Sequence, residues 1–453
     1  MNRLLRKITV GICLGVASWT NANAQIVRQA SEITTARTSA PTTNPAYRSA
    51  PEVIATELHA EQGQLVTLDD LEALALKRSP ILQQANSKVQ AEKWRLVQAG
   101  LPSNPEAGID FQQLGSDGLA EQYGIAISQE LISPEKKRLN QSISNSEIKR
   151  LTFELRVAEQ RLRTDVRKIH LRALRSAREV TITGQLLASA EKALQLTREL
   201  LEAREVSRAD LLQAEVEVES TRIQNQQAVN AETAVWREIK SVTGVQINPS
   251  VKIAGSIDSS PSALNYEDSL IRILSQSPEI SAAMSGIESA RVNLQRQSVE
   301  TRPNVTVGGL FNWRDNGING SADGGLVVSI PLSVWNKNQG GIGVARSELV
   351  SAAKELDRIE LQIAQRLAVI YQQYSTSADK VSRYQEQILP KTEEMLELTR
   401  ESYELGEVGF VNLLAVQRTF ANHQLAYLDA MEMLRLAEIE IDGMLLSDRF
   451  VSK

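Results

Sequence analysis

Two kinds of hydrophobic pattern alternate along this chain, in an order that is used twice. After Pro134 no proline occurs until well beyond Arg204, and Leu151, Leu155, Ala158, Leu162, Val166, Ile169, Ala173, Ala177 and Val180 recur at spacings of four and three. That is the stripe of a helix with one apolar face. A helix over 134–204 at about 1.5 Å per residue predicts a rod on the order of 100 Å, longer than a single-chain globular core. A second such stretch runs over 341–405, where Pro390 predicts a kink or a helix junction. Shorter helices are predicted at 69–98, 209–242, 267–297 and 411–446.

Between the helices lie segments with a period of two. Ile109 and Phe111 alternate with Asp110 and Gln112, and after "GSDG" the run Tyr123, Ile125, Ile127, Gln129, Leu131 alternates with small or polar neighbours. Later, Val305, Val307, Gly309, Phe311 and Trp313 form one face, "RDNGINGSADGG" reads as a loop, and Leu326, Val328, Ile330 and Leu332 form the next face. These are hairpin signals, and they predict strands at about 105–113, 122–131, 303–313 and 324–332. Phe311, Trp313 and Tyr123 fit either a lipid-facing aromatic belt or ordinary cross-strand pairing.

The order is doubled because the sequence is doubled. Ser79/Ser277, Pro80/Pro278, Ala85/Ala283, Leu96/Leu294 and Pro105/Pro303 match at an offset of 198. Ser128/Ser329, Leu131/Leu332, Lys136/Lys337 and Glu147/Glu348 match at 201, and "LTRELLEAREVSRADLL" (196–212) matches "LTRESYELGEVGFVNLL" (398–414) at 202. Two copies of one architecture follow, over 66–250 and 266–446, joined by a linker at 251–265 and followed by a short end at 447–453. In each copy the last matched motif is the turn of a helical hairpin.

The two ends of the chain read differently. Residues 1–24 carry Arg3, Arg6 and Lys7, an apolar run from Ile8 to Trp19 and "ANA" before Gln25, which reads as a secretory signal peptide. From 25 to 65 the chain is rich in Thr, Ser, Ala and Pro without a period, the composition of a flexible tail. Cys13, the sole cysteine, would leave with the signal, so disulfides and thiol chemistry are not expected. Losing three basic residues takes the formal charge from -5 to -8, which argues against a nucleic-acid partner.

Enzymatic chemistry has little support. His59, His170 and His423 are isolated in sequence, and neither a nucleophile elbow nor a phosphate-binding loop occurs. No cofactor, catalytic residue or structural metal site is expected. Nor does any run after the signal approach 18 apolar residues, so a membrane crossing would have to use strands. Four strands cannot close a barrel and open edges are not tolerated in lipid, so a membrane-inserted sheet requires several chains.

With the repeat, the strand pairs ahead of long helices, "SIPLSVWNKNQGGIGVARSEL" (329–349) and "QILPKTEEMLELTRESYELGEVGFVNLLAVQRTF" (387–420), the chain resembles the TolC family of outer-membrane efflux ducts over about 68–446. It is most similar to the outer-membrane component of cobalt-zinc-cadmium type efflux systems of the RND class. The resemblance implies a mainly α fold with a small β part: a homotrimer with a 12-stranded transmembrane β-barrel in outer-membrane lipid and an α-barrel reaching through the periplasm of a Gram-negative-type cell. It implies a periplasmic adaptor and an inner-membrane pump as partners, and passive conduction of heavy-metal cations. A drug-efflux or type I secretion duct is the alternative within the family, and an exported structural coiled coil the alternative outside it.

The family's helical-hairpin tips dock the adaptor and gate the pore. Carried over by position, they are Tyr403, Gly406, Glu407, Val408 and Gly409 in the second copy and Arg204, Glu205, Val206 and Ser207 in the first. The first copy has Leu201 and Arg204 in place of Tyr403 and Gly406, so its turn is expected to be less open. Acidic side chains just beyond the tip narrow the pore in some members; Asp210 and Asn412 occupy that place here.

Overall fold

The computed structural model describes residues 65–114, 120–244, 252–258, 263–314 and 322–446. The expected signal (1–24), the tail up to 64, the 447–453 end, the "GSDG" loop and most of "RDNGINGSADGG" lie outside the described residues. In chain order the elements are β1 (Leu65–Val66), α1 (Leu68–Arg78), α2 (Pro80–Gly100), β2 (Glu106–Leu114), β3 (Ala120–Leu131), α3 (Pro134–Glu202) and α4 (Arg208–Thr243). There follow β4 (Lys252–Ile253), α5 (Tyr266–Gln276), α6 (Pro278–Ser298), β5 (Val305–Arg314), β6 (Asp323–Ser329) and α7 (Gln339–Arg383). A π-turn (Tyr384–Ile388) leads to α8 (Leu389–Glu404) and α9 (Phe410–Asp442).

Each predicted 30-residue helix is in fact two. Proline disfavours helical backbone at the residue before it, and Ser79 (φ -58°, ψ 120°) and Ser277 (φ -62°, ψ 126°) break α1 from α2 and α5 from α6 at the same place in both repeats. Strand β6 stops at Ser329 rather than 332, because Pro331 has no N–H to give a ladder. The helix predicted over 341–405 is two helices around the π-turn, and the junction lies just ahead of Pro390.

That π-turn accounts for a detail of the repeat. The offset is 201 at Glu147/Glu348 and 202 at the tips, so the second rod has one residue more than the first. A π-turn is how a helix accommodates a single extra residue. The flanking helices keep their faces: Tyr374 and Val381 before it and Thr392 and Tyr403 after it are all buried.

The four long strands form one antiparallel sheet in the order β2-β3-β5-β6, with Ile109 level with Ile125, Phe311 and Gly324, and Ile127 level with Gly309 and Leu326. One face therefore carries Ile109, Phe111, Ile125, Ile127, Phe311, Leu326 and Val328, all exposed. The other carries small and polar residues such as Gly108, Ala126, Ser128, Thr306 and Gly308. A bulge at Tyr123/Gly124 shifts the register, and a side chain at Gly124 would run into the Phe311 carbonyl and Asn312. Phe311 and Trp313 sit with ring centroids 6.3 Å apart on β5.

The helices follow the sheet. α2 packs on α3, α3 on α6 and α6 on α7, while α4 returns along α3 and α9 along α7. Ile273, Ile280, Ile359, Ile363, Leu367 and Ile441 close one core; Val66, Leu71, Ala75, Val166, Ile169 and Ile239 close another. In that second core the chain makes a pairing absent from the sequence pattern: β1, at the end of the expected tail, runs parallel to β4 in the linker. His170 clamps the same strap, its Nε2 3.1 Å from the Ala254 carbonyl oxygen. Burial holds its pKa below the ordinary histidine value.

Candidate functional site: the paired hairpin tips

Both hairpins end in the same turn. At the end of α3 the Arg204 N–H donates to the Leu201 carbonyl (3.0 Å) and the Glu205 N–H to the Leu200 carbonyl (2.9 Å). At the end of α8 the Gly406 N–H donates to Tyr403 (3.0 Å) and the Glu407 N–H to Ser402 (2.9 Å). This pair of bonds caps a helix through one left-handed residue, here Arg204 at φ 65° and Gly406 at φ 75°. The lack of glycine therefore does not close the first turn, contrary to expectation. Arg204 adopts the conformation anyway, at a cost of about 1 kcal/mol relative to glycine.

The start of the returning helix differs. Ser207 caps α4 in a reciprocal box: its hydroxyl accepts from the Asp210 N–H (3.3 Å), while its own N–H (2.9 Å) and O–H (2.7 Å) donate to Asp210 Oδ2. The hydroxyl bond, then the backbone bond, holds the Asp210 carboxyl below its ordinary pKa, so the group is a fixed negative charge beside the turn. In the second copy Gly409 stands at the cap without a side-chain bond, and Asn412 is neutral and exposed. The acidic box belongs to the first tip alone.

The tip residues fall into two groups. Arg204, Glu205, Ser207, Gly406, Glu407 and Gly409 are exposed, with Val206 and Val408 half-buried. Tyr403 is instead 2% exposed and forms part of the core between the hairpins, with Ala193, Ala214, Phe410, Leu413 and Leu414. Its ring lies 6.1 Å from that of Phe410. Its oxygen is 3.1 Å from Oγ1 of the fully buried Thr197 on α3, whose own hydroxyl donates to the Ala193 carbonyl (2.8 Å). Thr197 has no second proton to give, so Tyr403 is the donor.

Further from the tips, ion pairs tie one hairpin to the other. The buried Glu217 carboxylate on α4 accepts from Arg418 on α9, with Nε at 3.1 Å. Arg175 on α3 lies 2.7 Å from Asp429 and 2.9 Å from Glu432 on α9, and 2.6 Å from Glu179 on its own helix. Lys168 pairs with Glu440 at 2.7 Å. Thr197, Glu217 and Arg418 carried no local signal, because their partners are some 200 residues away. Between the tips lies a cavity of about 530 Å³ with Ile182, Leu186 and Leu396 on its walls and Lys192, Arg400 and Glu404 among its charged residues.

Among the described residues no group of three His, Cys, Asp or Glu could hold a metal ion, and no helix is long and apolar enough to cross a membrane. His170 is spent on its carbonyl and His423 stands with its ring 6.0 Å from that of Tyr384. His59 lies outside the described residues.

Residues 270–445 match the family described as outer membrane efflux protein. The chain is 21% identical over 380 residues to the cobalt-zinc-cadmium resistance protein CzcC of Cupriavidus metallidurans, covering 84% of this chain and 90% of that one. It is 25% identical over 278 residues to the toluene efflux pump outer membrane protein TtgF of Pseudomonas putida, covering 60% and 56%. A crystal structure of CusC superposes with a TM-score of 0.68 at 16% identity, over 88% of this chain and 98% of that one. A twofold repeat of long helices on a small antiparallel sheet, the family match over 270–445 and these likenesses converge: the chain has the fold of the solved efflux channels and is similar along most of its length to an outer-membrane efflux protein.

Proposed function

We propose that the chain is the exit duct of a tripartite pump, working as a homotrimer that conducts heavy-metal cations passively to the exterior. The observation that carries the ring is the sheet: its outer strands β2 and β6 have no partner on one edge among the described residues, and one face is apolar and exposed. Unpaired backbone groups are not tolerated in lipid, and three copies edge to edge would close a 12-stranded barrel. The similarity to CzcC along most of both chains supports metal cations as cargo. TtgF supports an organic-solute duct as the second reading.

The exposed tip residues and the cavity between the hairpins are the surface offered to a periplasmic adaptor, which would link the duct to an inner-membrane pump of the RND class. The pump supplies the energy. Three Asp210 carboxylates, one per copy, would place negative charge at the periplasmic mouth and attract cations, while Asn412 contributes none. Deleting the gene and measuring tolerance to zinc, cobalt, cadmium and hydrophobic drugs tests the cargo. Lost metal tolerance is expected; unchanged metal tolerance with lost drug tolerance would replace metals by organic solutes.

A further inference from the structure

The row of helices under the sheet has two open ends. α2 precedes β2 and α7 follows β6, so α2 and α7 stand under the two unpaired strand edges, each packed on one neighbour in the row α2-α3-α6-α7. On α2 the buried side is Leu82, Val89 and Glu92. Trp94, at about 100° per residue, points the opposite way, and is 60% exposed. On α7 the buried side is Ala345, Ile359, Ile363 and Leu367. The opposite side carries Gly343, Ser347, Val350 and Leu361, all exposed.

Gly343 has no explanation among the described residues of one chain. Glycine inside a helix costs about 1 kcal/mol relative to alanine, and a Cβ at this position would meet nothing within 4 Å. Open space on a helix face that could hold alanine for free, but holds glycine, points to something outside the chain.

The internal repeat says what that is. α6 is the copy of α2 at an offset of 198, and α3 stands to α7 at an offset of 201, so the α3–α6 junction inside one chain is the template for α7 of one copy against α2 of the next. In that junction Arg296 Nε donates to Asn140 Oδ1 at 2.6 Å, and a Cβ at Gly286 would lie 3.8 Å from Arg150 Cδ. These pairs fix an antiparallel register in which Val292 stands level with Ser144, and both are buried. Carried over by the offsets, Trp94 stands level with Ala345 of the neighbouring copy, whose open side at that height is Gly343 and Ser347.

We infer that α2 of one copy and α7 of the next form the seam of the ring, with the Trp94 indole seated in the notch left by Gly343. The inference rests on the trimeric reading above and names the contact that closes it. Packing a large residue against a small one across a helix pair is how interfaces interdigitate without voids.

The test uses the full chain in a Cys13→Ser background, extracted from membranes in detergent and treated with a short bifunctional thiol reagent. Trp94→Cys with Gly343→Cys is expected to give covalent dimers and trimers and nothing larger, while Val292→Cys with Ser144→Cys links within one chain. Trimers by native mass spectrometry, with the 144/292 link formed and the 94/343 link absent, would overturn the seam and leave the trimer standing. Monomers throughout would overturn the trimeric reading, and the seam with it. As a second variant, Gly343→Leu is expected to lower the trimer fraction at least tenfold at unchanged helical content, with Gly343→Ala milder; trimers of undiminished yield from Gly343→Leu would also overturn the seam.

Discussion

The Tyr403 hydroxyl donates to Thr197 Oγ1 at 3.1 Å, joining two helical hairpins whose residues lie 206 positions apart. Both side chains are buried, so the bond is a structural latch between the two tips. Replacing Thr197 by valine leaves the phenol without an acceptor and is expected to cost about 1–3 kcal/mol, more than Tyr403→Phe, which removes the donor and costs about 1 kcal/mol. Hydrogen exchange over 193–214 and 396–414 measures it. Equal protection in both variants and the parent would mean that the latch contributes nothing.

Arg204 and Gly406 hold the same left-handed turn with different side chains. Arg204→Gly is therefore expected to stabilise the first tip by about 1 kcal/mol, and Gly406→Ala to destabilise the second by a similar amount. Thermal unfolding of the detergent-solubilised protein gives the sign. A destabilising Arg204→Gly would show that the arginine side chain makes a contact worth more than its backbone strain.

Asp210 ties pH to the first tip. Its carboxyl pKa is lowered on folding, so the stability it adds is fully present above the unfolded value of about 3.9 and is lost as pH falls through the lower folded value. Protection factors at the α4 N-terminus, with the intrinsic pH dependence of exchange divided out, are expected to fall below about pH 4 in the parent, and to be low throughout that range in Asp210→Ala. The same variant, reconstituted in planar bilayers, is expected to lose cation preference. Unchanged selectivity would remove Asp210 from the pore.

The π-turn makes a prediction about length. Deleting Gln387 removes the one extra residue and leaves a continuous helix with both flanking faces in place, so the core around Tyr403 and Phe410 is kept. Deleting Glu360, in regular helix, turns everything beyond it by about 100°. Thermal stability and protease resistance of the second tip should survive the first deletion and fail in the second. Equal damage from both would mean that the turn does not absorb the extra residue.

The long rods, the two hairpins and the repeat were legible because each is written in local periodicity: the Leu151-to-Val180 stripe has a single helical reading, and Ile125/Ile127 a single strand reading. Even the π-turn was present as a change of offset from 201 to 202. The breaks at Pro80 and Pro278 were equally visible, yet a shared apolar stripe on either side hid them. What could not be read is contact between distant segments. The Thr197–Tyr403 latch, the Glu217–Arg418 pair and the β1–β4 strap each join residues about 190 to 210 apart, and no spacing rule spans that distance. Tyr403 was therefore expected with the exposed tip residues, although its ring belongs to the core.

In the proposed trimer each chain supplies a third of a closed duct. Native mass spectrometry of the protein extracted from outer membranes in detergent measures this directly. The predicted result is a single assembly with the mass of three mature chains. A monomer that remains folded and membrane-inserted would contradict it, because the free edges of β2 and β6 would then have to be satisfied within one chain.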